Sequence, residues 1–237
     1  MIDVGEKILV IGAGWEQVPL IEKAKEKGFY VIATYSSANA EGFAYADENH
    51  IISSRDLQSL DRLFRQVKPD AVIADECDYS MFAVAFLTGR YNLPGPDIDA
   101  LSITNNKFLQ RKYAQQAGIP QPEFELCMTF KDVQRAARGL GFPVMLKPLD
   151  NRGGFGVLRV ENESELKKNY WETIANTYSR QLLVEKVIFG SVVTVEGIYT
   201  DKFYNITFST KRMHPKFIEN AMHLQFPGSL HRSVVEK

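Results

Sequence analysis

Cysteine is nearly absent from the chain: Cys77 and Cys127 are the only two in 237 residues. They stand far apart and without metal-ligand spacing, which excludes a disulfide scaffold and reads as two reduced thiols of a cytoplasmic protein. The four histidines, His50, His214, His223 and His231, form no ligand pattern, so no zinc site is expected. No apolar run is long enough to span a bilayer. Met1 to Lys7 lacks the cationic and apolar regions of a secretory signal. Charge of one sign is lacking too: the net value of -1 gives no reason to expect nucleic acid or an anionic membrane as partner. What remains, 45% hydrophobic and 24% charged residues, is the composition of an ordinary globular protein with room for one large or two to three small domains.

The first part alternates strand-like and helix-like runs. Lys7 to Ile11, Phe29 to Thr34, Asp47 to Ser53 and Asp70 to Ala74 read as strands, separated by helical stretches at 17–27, 56–66 and 79–91. That order predicts βαβ units on a parallel sheet, a Rossmann-like domain over 1–104. A helix over Asn105 to Ala117 and the proline pair of Ile119-Pro120-Gln121-Pro122 form a linking segment, 105–122. A small α+β subdomain with an antiparallel sheet is expected over 123–180. From 181 to 237 a further subdomain begins, with strands at 182–188, 192–199 and 203–209 and a starting helix at 231–237.

The densest chemistry lies in Pro143 to Val157, PVMLKPLDNRGGFGV. A short apolar run delivers Lys147, and Gly153, Gly154 and Gly156 follow before a second apolar run. Glycines let backbone N–H groups converge on a ligand, and a lysine at the base adds the point charge that phosphate needs. An ordinary flexible hairpin with a solvated lysine fits the same residues. Lys107, in the first turn of its helix, sits at the end a helix dipole disfavours for cations, which hints at a ligand. Leu182 to Gly190 is an apolar strand interrupted by Glu185 and Lys186. Its edge suits a flat heteroaromatic ring, or it is an edge strand with two solvated charges. Glu196 is isolated on the next strand, where an inward acid needs a partner. Lys211-Arg212 is either a phosphate contact or a charged turn.

Two further motifs are weaker. Gly12-Ala13-Gly14 follows a strand and precedes a helix, but Gln17 stands where a dinucleotide fingerprint has its third glycine. Thr34-Tyr35-Ser36 stands where that fingerprint has its ribose acid, so NAD binding is kept only as an outlier. Asp75-Glu76-Cys77-Asp78 follows a strand at its carboxyl end. These acids suit an amine or a metal, or simply cap the next helix.

In their order these features resemble the ATP-grasp superfamily, of the carbamoyl-phosphate-synthase-like or carboxylate–amine ligase type. The resemblance rests on a helix beginning Asn106-Lys107, AGIPQPEF, PVMLKP, the Gly-rich loop and VEKVI. It covers essentially the whole chain. It implies a Rossmann-like substrate domain followed by an ATP-grasp α+β domain, and an ATP-dependent ligase that activates a carboxylate as an acyl phosphate for attack by an amine. Lys107 and Lys147 then match the lysines that hold ATP phosphates, and Gly153, Gly154 and Gly156 the loop that closes over them. Glu185, Lys186 and Val187 fall where the adenine edge is read, and Lys211 resembles a further phosphate lysine. Two departures stand out. Val192 occupies the place of the family's ribose-binding Glu, for which Glu196 is a substitute only if its strand bulges. The late carboxylates that hold Mg²⁺ have no counterpart, and about 100 further residues would complete such a domain. Binding of ATP is therefore expected ahead of catalysis. The partners implied are a small-molecule carboxylate and amine, with a homodimer left open. A non-catalytic nucleotide-binding or interaction protein on the same fold is the alternative.

Overall fold

The computed structural model describes residues 5–75, 77–190, 192–199, 203–213 and 221–225, the last three stretches as backbone apart from Val193. The chain divides into two compact units, Met1–Asn106 and Lys107–Lys237.

The first unit is built on a parallel sheet of β1 (Lys7–Ile11), β2 (Tyr30–Tyr35), β3 (Glu48–Ile51) and β4 (Ala71–Ile73), in the order β3-β2-β1-β4. β1 is apolar at every position after Lys7 because it is covered on both faces. Its alternating side chains enter two separate cores. Leu9 and Ile11 pack with Leu60, Leu63 and Phe64 of α2 (Leu57–Val67), and with Ala83 and Leu87 of α3 (Asp78–Tyr91). Ile8 and Val10 pack on the opposite face with Ile21 and Ala24 of α1 (Val18–Glu26). Asp56 caps α2 by accepting from the Ser59 amide, and α3 ends at Asn92 in the left-handed conformation. A short α4 (Ile98–Thr104), which the sequence reading did not separate, follows, capped by Asp97.

The second unit begins with α5 (Lys107–Gln116). Its main sheet is antiparallel: β5 (Phe124–Cys127), β6 (Val144–Pro148), β7 (Leu158–Val160) and β8 (Leu182–Lys186), in the order β5-β8-β6-β7. Helices α6 (Phe130–Leu140) and α7 (Glu163–Ile174) cover one face, where Val144, Leu146, Val160, Leu182 and Val184 meet Val133, Ala136, Ala137 and Leu166. β8, which falls just after the expected subdomain limit at 180/181, lies in this sheet. It is an inner strand, inserted between β5 and β6 by pairings with residues far from it in sequence. A second antiparallel sheet follows, with β9 (Val192–Tyr199), β10 (Phe203–Met213) and β11 (Ala221–Gln225) in the order β11-β10-β9. The expected helix at 231–237 lies outside the described residues. Among the described residues no helix is long and apolar enough to cross a membrane.

Candidate functional site

The strand pattern of β6 fixes where Lys147 goes. Val144 and Leu146 enter the helix-covered core, so Met145 and Lys147 lie on the opposite face. On β8 the same alternation sends Leu182 and Val184 into the core and leaves Leu183 and Glu185 on the Lys147 face. Register sets Lys147 opposite Leu183 and Met145 opposite Glu185, which makes Lys147 and Glu185 diagonal neighbours within reach of a long side chain. The contact is made: Lys147 Nζ lies 2.5 Å from Glu185 Oε2. Arg111, from α5, donates to the same carboxylate through Nε (2.6 Å to Oε1) and Nη2 (3.2 Å to Oε2). Burial pushes the Glu185 carboxyl up, but the Arg111 hydrogen bond and the Lys147 charge outweigh it and hold the group below the usual glutamate range. Two cations share one buried carboxylate, and a net positive charge stands at the base of the Gly-rich loop.

Lys107 is tied to the start of that loop. Its backbone amide donates to Leu149 O (3.2 Å), and its ammonium donates to the Asn151 carbonyl. The unfavourable place at the first turn of α5 thus delivers a cation to the loop root. Lys107 and Arg111 are one helical turn apart and share a face of α5.

The loop itself is anchored at both sides. Asp150 accepts from Thr177 Oγ1 (2.6 Å) and from the amides of Tyr178 (3.2 Å) and Ser179 (2.7 Å). Asn151 Nδ2 donates to Asn176 O at 2.8 Å. At the far side Gly156, with φ +75°, presses against Asn176, and a Cβ added there would lie 2.5 Å from Asn176 Cβ. Between these anchors, Gly153 and Gly154 adopt φ +61° and +75°. The amides of Arg152, Phe155 and Val157 have acceptors within the loop. Those of Gly153, Gly154 and Gly156 find none among the described residues. A left-handed glycine turn with unmet N–H groups is a concavity suited to anionic oxygens.

The adenine-edge expectation is only partly supplied with free groups. Glu185 is interior, with Phe124 opposite on one side and Met145 on the other. Lys186 N donates to Glu123 O (2.9 Å) and Val187 N to Pro143 O (3.5 Å), while the Lys186 side chain is exposed and 3.7 Å from Glu123. Beyond them Ile188 and Phe189 are each 69% exposed. Glu196 and Lys211 are described as backbone only: Glu196 pairs with Thr207, and Lys211 with Val192 and Leu224. The irregularity in this ladder falls on β10, between Asn205 and Thr207, and β9 runs unbroken through Val192 to Glu196. The bulge that would shift Glu196 into the place of Val192 is therefore not on its own strand.

In the first unit, Gln17 is buried, accepts from the Gly14 amide (3.0 Å) and donates to Asp75 O (3.3 Å). It occupies the inside of the Gly12–Gly14 turn, where a dinucleotide phosphate would have to sit. Cys77 and Asp78 form the N-terminal boundary of α3, and Glu76 lies outside the described residues. Among the described residues no three His, Cys, Asp or Glu side chains converge as a metal site.

Sequence reasoning did not find Arg111, Asp150, Asn151 or Asn176. Only Arg111 carried a local signal, its four-residue spacing from Lys107.

Comparison with known proteins follows the same lines. The family model described as D-ala D-ala ligase C-terminus matches residues 113–224. A formate-dependent phosphoribosylglycinamide formyltransferase from Methanococcus vannielii is 26% identical over 232 residues, which are 96% of this chain and 57% of the relative. The chain thus spans about half the length of the curated relatives it matches. Among solved structures, N5-carboxyaminoimidazole ribonucleotide synthetase in its ADP complex superposes with a TM-score of 0.79 at 18% identity, over 98% of this chain and 60% of that one. An L-amino acid ligase from Bacillus licheniformis superposes with a TM-score of 0.75 at 17% identity, over 99% and 57%. At such identities the structural likeness fixes the fold and nothing finer.

Proposed function

The chain belongs to the ATP-grasp superfamily, and from that premise we propose that its second unit binds ATP and serves an ATP-dependent ligase joining a small-molecule carboxylate to an amine. The observation that carries this reading is the trio of unmet amides at Gly153, Gly154 and Gly156, flanked by Lys107 and Lys147. Oriented N–H groups and two cations match the oxygens of a polyphosphate and stabilise charge that develops there during transfer. Bound ATP supplies the phosphoryl group that turns a carboxylate into an acyl phosphate. The chain's residues hold and orient it. Lys147 and Lys107 neutralise phosphate charge, and the loop tip from Arg152 to Phe155, between its two anchors, covers the phosphates and excludes water. The adenine ring lies against the segment from Val187 to Phe189, where β8 ends and backbone groups emerge from the ladder.

Calorimetric titration of the chain with ATP and ADP, magnesium present, tests this reading. Wild type is expected to bind both, and Lys147→Ala to bind ATP roughly 10- to 100-fold more weakly, the range for a lost charged hydrogen bond. Absence of ATP binding to wild type, or equal affinity in Lys147→Ala, refutes the assignment.

A further inference from the structure

While its ammonium stays on Glu185, Lys147 commits one of its three N–H donors and part of its charge to that carboxylate. The Glu185 side chain is only 3% exposed, so water cannot replace a departing partner. An unpaired carboxylate at such a depth is costly. The two cations on it are not equivalent. Arg111 uses a planar fork whose Nε reaches Oε1 and whose Nη2 reaches Oε2, so it alone gives each oxygen a donor. Lys147 adds a single contact, to Oε2, from a flexible stem. Removing the lysine leaves Glu185 satisfied, whereas removing the arginine leaves one oxygen bare and binds the lysine to the other.

Resting on the phosphate-site reading above, we propose that Arg111 is a positioning residue that frees Lys147: by holding both oxygens of Glu185, it lets the lysine move from that carboxylate to a nucleotide phosphate without stranding a buried charge. Arg111 itself touches no nucleotide in this scheme. Without it, Lys147 remains present but is locked in place. Glu185 is the parking place of the lysine when no nucleotide is bound.

The test is a double-substitution cycle on the 237-residue chain, read by calorimetry with ATP and magnesium and checked for folding by thermal unfolding. Arg111→Met is expected to weaken ATP binding roughly tenfold, the scale of coupling within one charge network. Adding Glu185→Gln removes the carboxylate that traps the lysine, and the double variant is expected to return to within about threefold of wild type. A merely structural arginine predicts the opposite, because two lesions in one core harm binding more than one. Glu185→Gln alone, which keeps Arg111 and so does not depend on the fold of Arg111→Met, is expected to bind ATP at least as tightly as wild type. Unchanged affinity in Arg111→Met, no recovery in the double variant, or weaker binding by Glu185→Gln alone overturns the inference. These failures are distinct from failure of the phosphate site itself, which shows as no binding by wild type or no loss in Lys147→Ala.

Discussion

Two glycine turns follow strands in this molecule, and they differ in what fills them. In the first, Gly12 N donates to Thr34 O (3.0 Å), Gly14 N to the Gln17 side chain (3.0 Å), and Gln17 is buried beneath both glycines. In the second, the amides of Gly153, Gly154 and Gly156 have no acceptor among the described residues, and cations stand at its base and root. Both turns are glycine-rich, yet among the described residues only the second leaves its glycine amides without acceptors. Whether the N–H groups are already paired, rather than how many glycines are present, separates a structural turn from a binding loop.

The comparison breaks most visibly at Gly156. Its φ of +75° is strained for any L side chain, and a Cβ would meet Asn176 Cβ at 2.5 Å and Pro148 Cγ at 2.9 Å. Gly156→Ala is expected to introduce about 1–3 kcal/mol of strain. Because the anchor of the loop is what moves, ATP affinity should fall by roughly tenfold or more. Gly14→Ala is the control. Gly14 has φ -68°, and the nearest atoms to its added Cβ are the ends of the Glu16, Gln17 and Tyr35 side chains at 3.0–3.3 Å. ATP titration of both variants should show loss only in the first, and equal affinities would erase the distinction between the loops.

The converse substitution is Gln17→Gly, which restores the third glycine of a dinucleotide fingerprint. It removes a buried amide that satisfies Gly14 N and bridges to Asp75 O. Stability should fall by about 1–3 kcal/mol, seen in urea unfolding. No NADH binding should appear in fluorescence titration, because Thr34-Tyr35-Ser36 offers no carboxylate for the ribose. A gain of NADH binding would mean that Gln17 alone keeps the first turn from being a cradle.

Much of this contrast could be read from the sequence. The parallel unit followed by an antiparallel one was legible from the spacing of apolar runs, and the loop was legible from Lys147, Pro148 and three closely spaced glycines. What stayed hidden depends on non-local register. That Lys147 meets Glu185 follows from β6 pairing with β8, a strand separated from it by β7 and α7. For the same reason the sequence does not place β8 in this sheet: nothing local says that a strand will be inserted between two earlier ones. Arg111 gains its place only because the sheet sets a buried carboxylate beside it. Gln17 was visible as a missing glycine, but its inward hydrogen bond was not.

The smallest expected effect sharpens the comparison through pH. The first turn is held by the neutral amide of Gln17, which does not titrate in the accessible range. The base of the second is held by a carboxylate whose folded pKa lies below its ordinary value of 4.5, burial opposing and Arg111 with Lys147 prevailing. For a group with a depressed folded pKa, the unfolded chain takes up the proton first as acid is added. The stabilisation from Glu185 is therefore fully present above about pH 4.5 and is lost as pH falls through the lower folded value. In Glu185→Gln this contribution is absent at every pH. Urea midpoints of wild type and variant, followed from neutral pH downward, should thus differ most near neutrality and converge in acid. Other carboxylates of the second unit with depressed pKa, Asp132, Asp150 and Glu163, titrate in both proteins and cancel in the difference. Gln17→Gly should show a gap from wild type that does not change with pH over the same range. A constant gap for Glu185→Gln as well would mean that its carboxylate does not hold the base of the loop through charge.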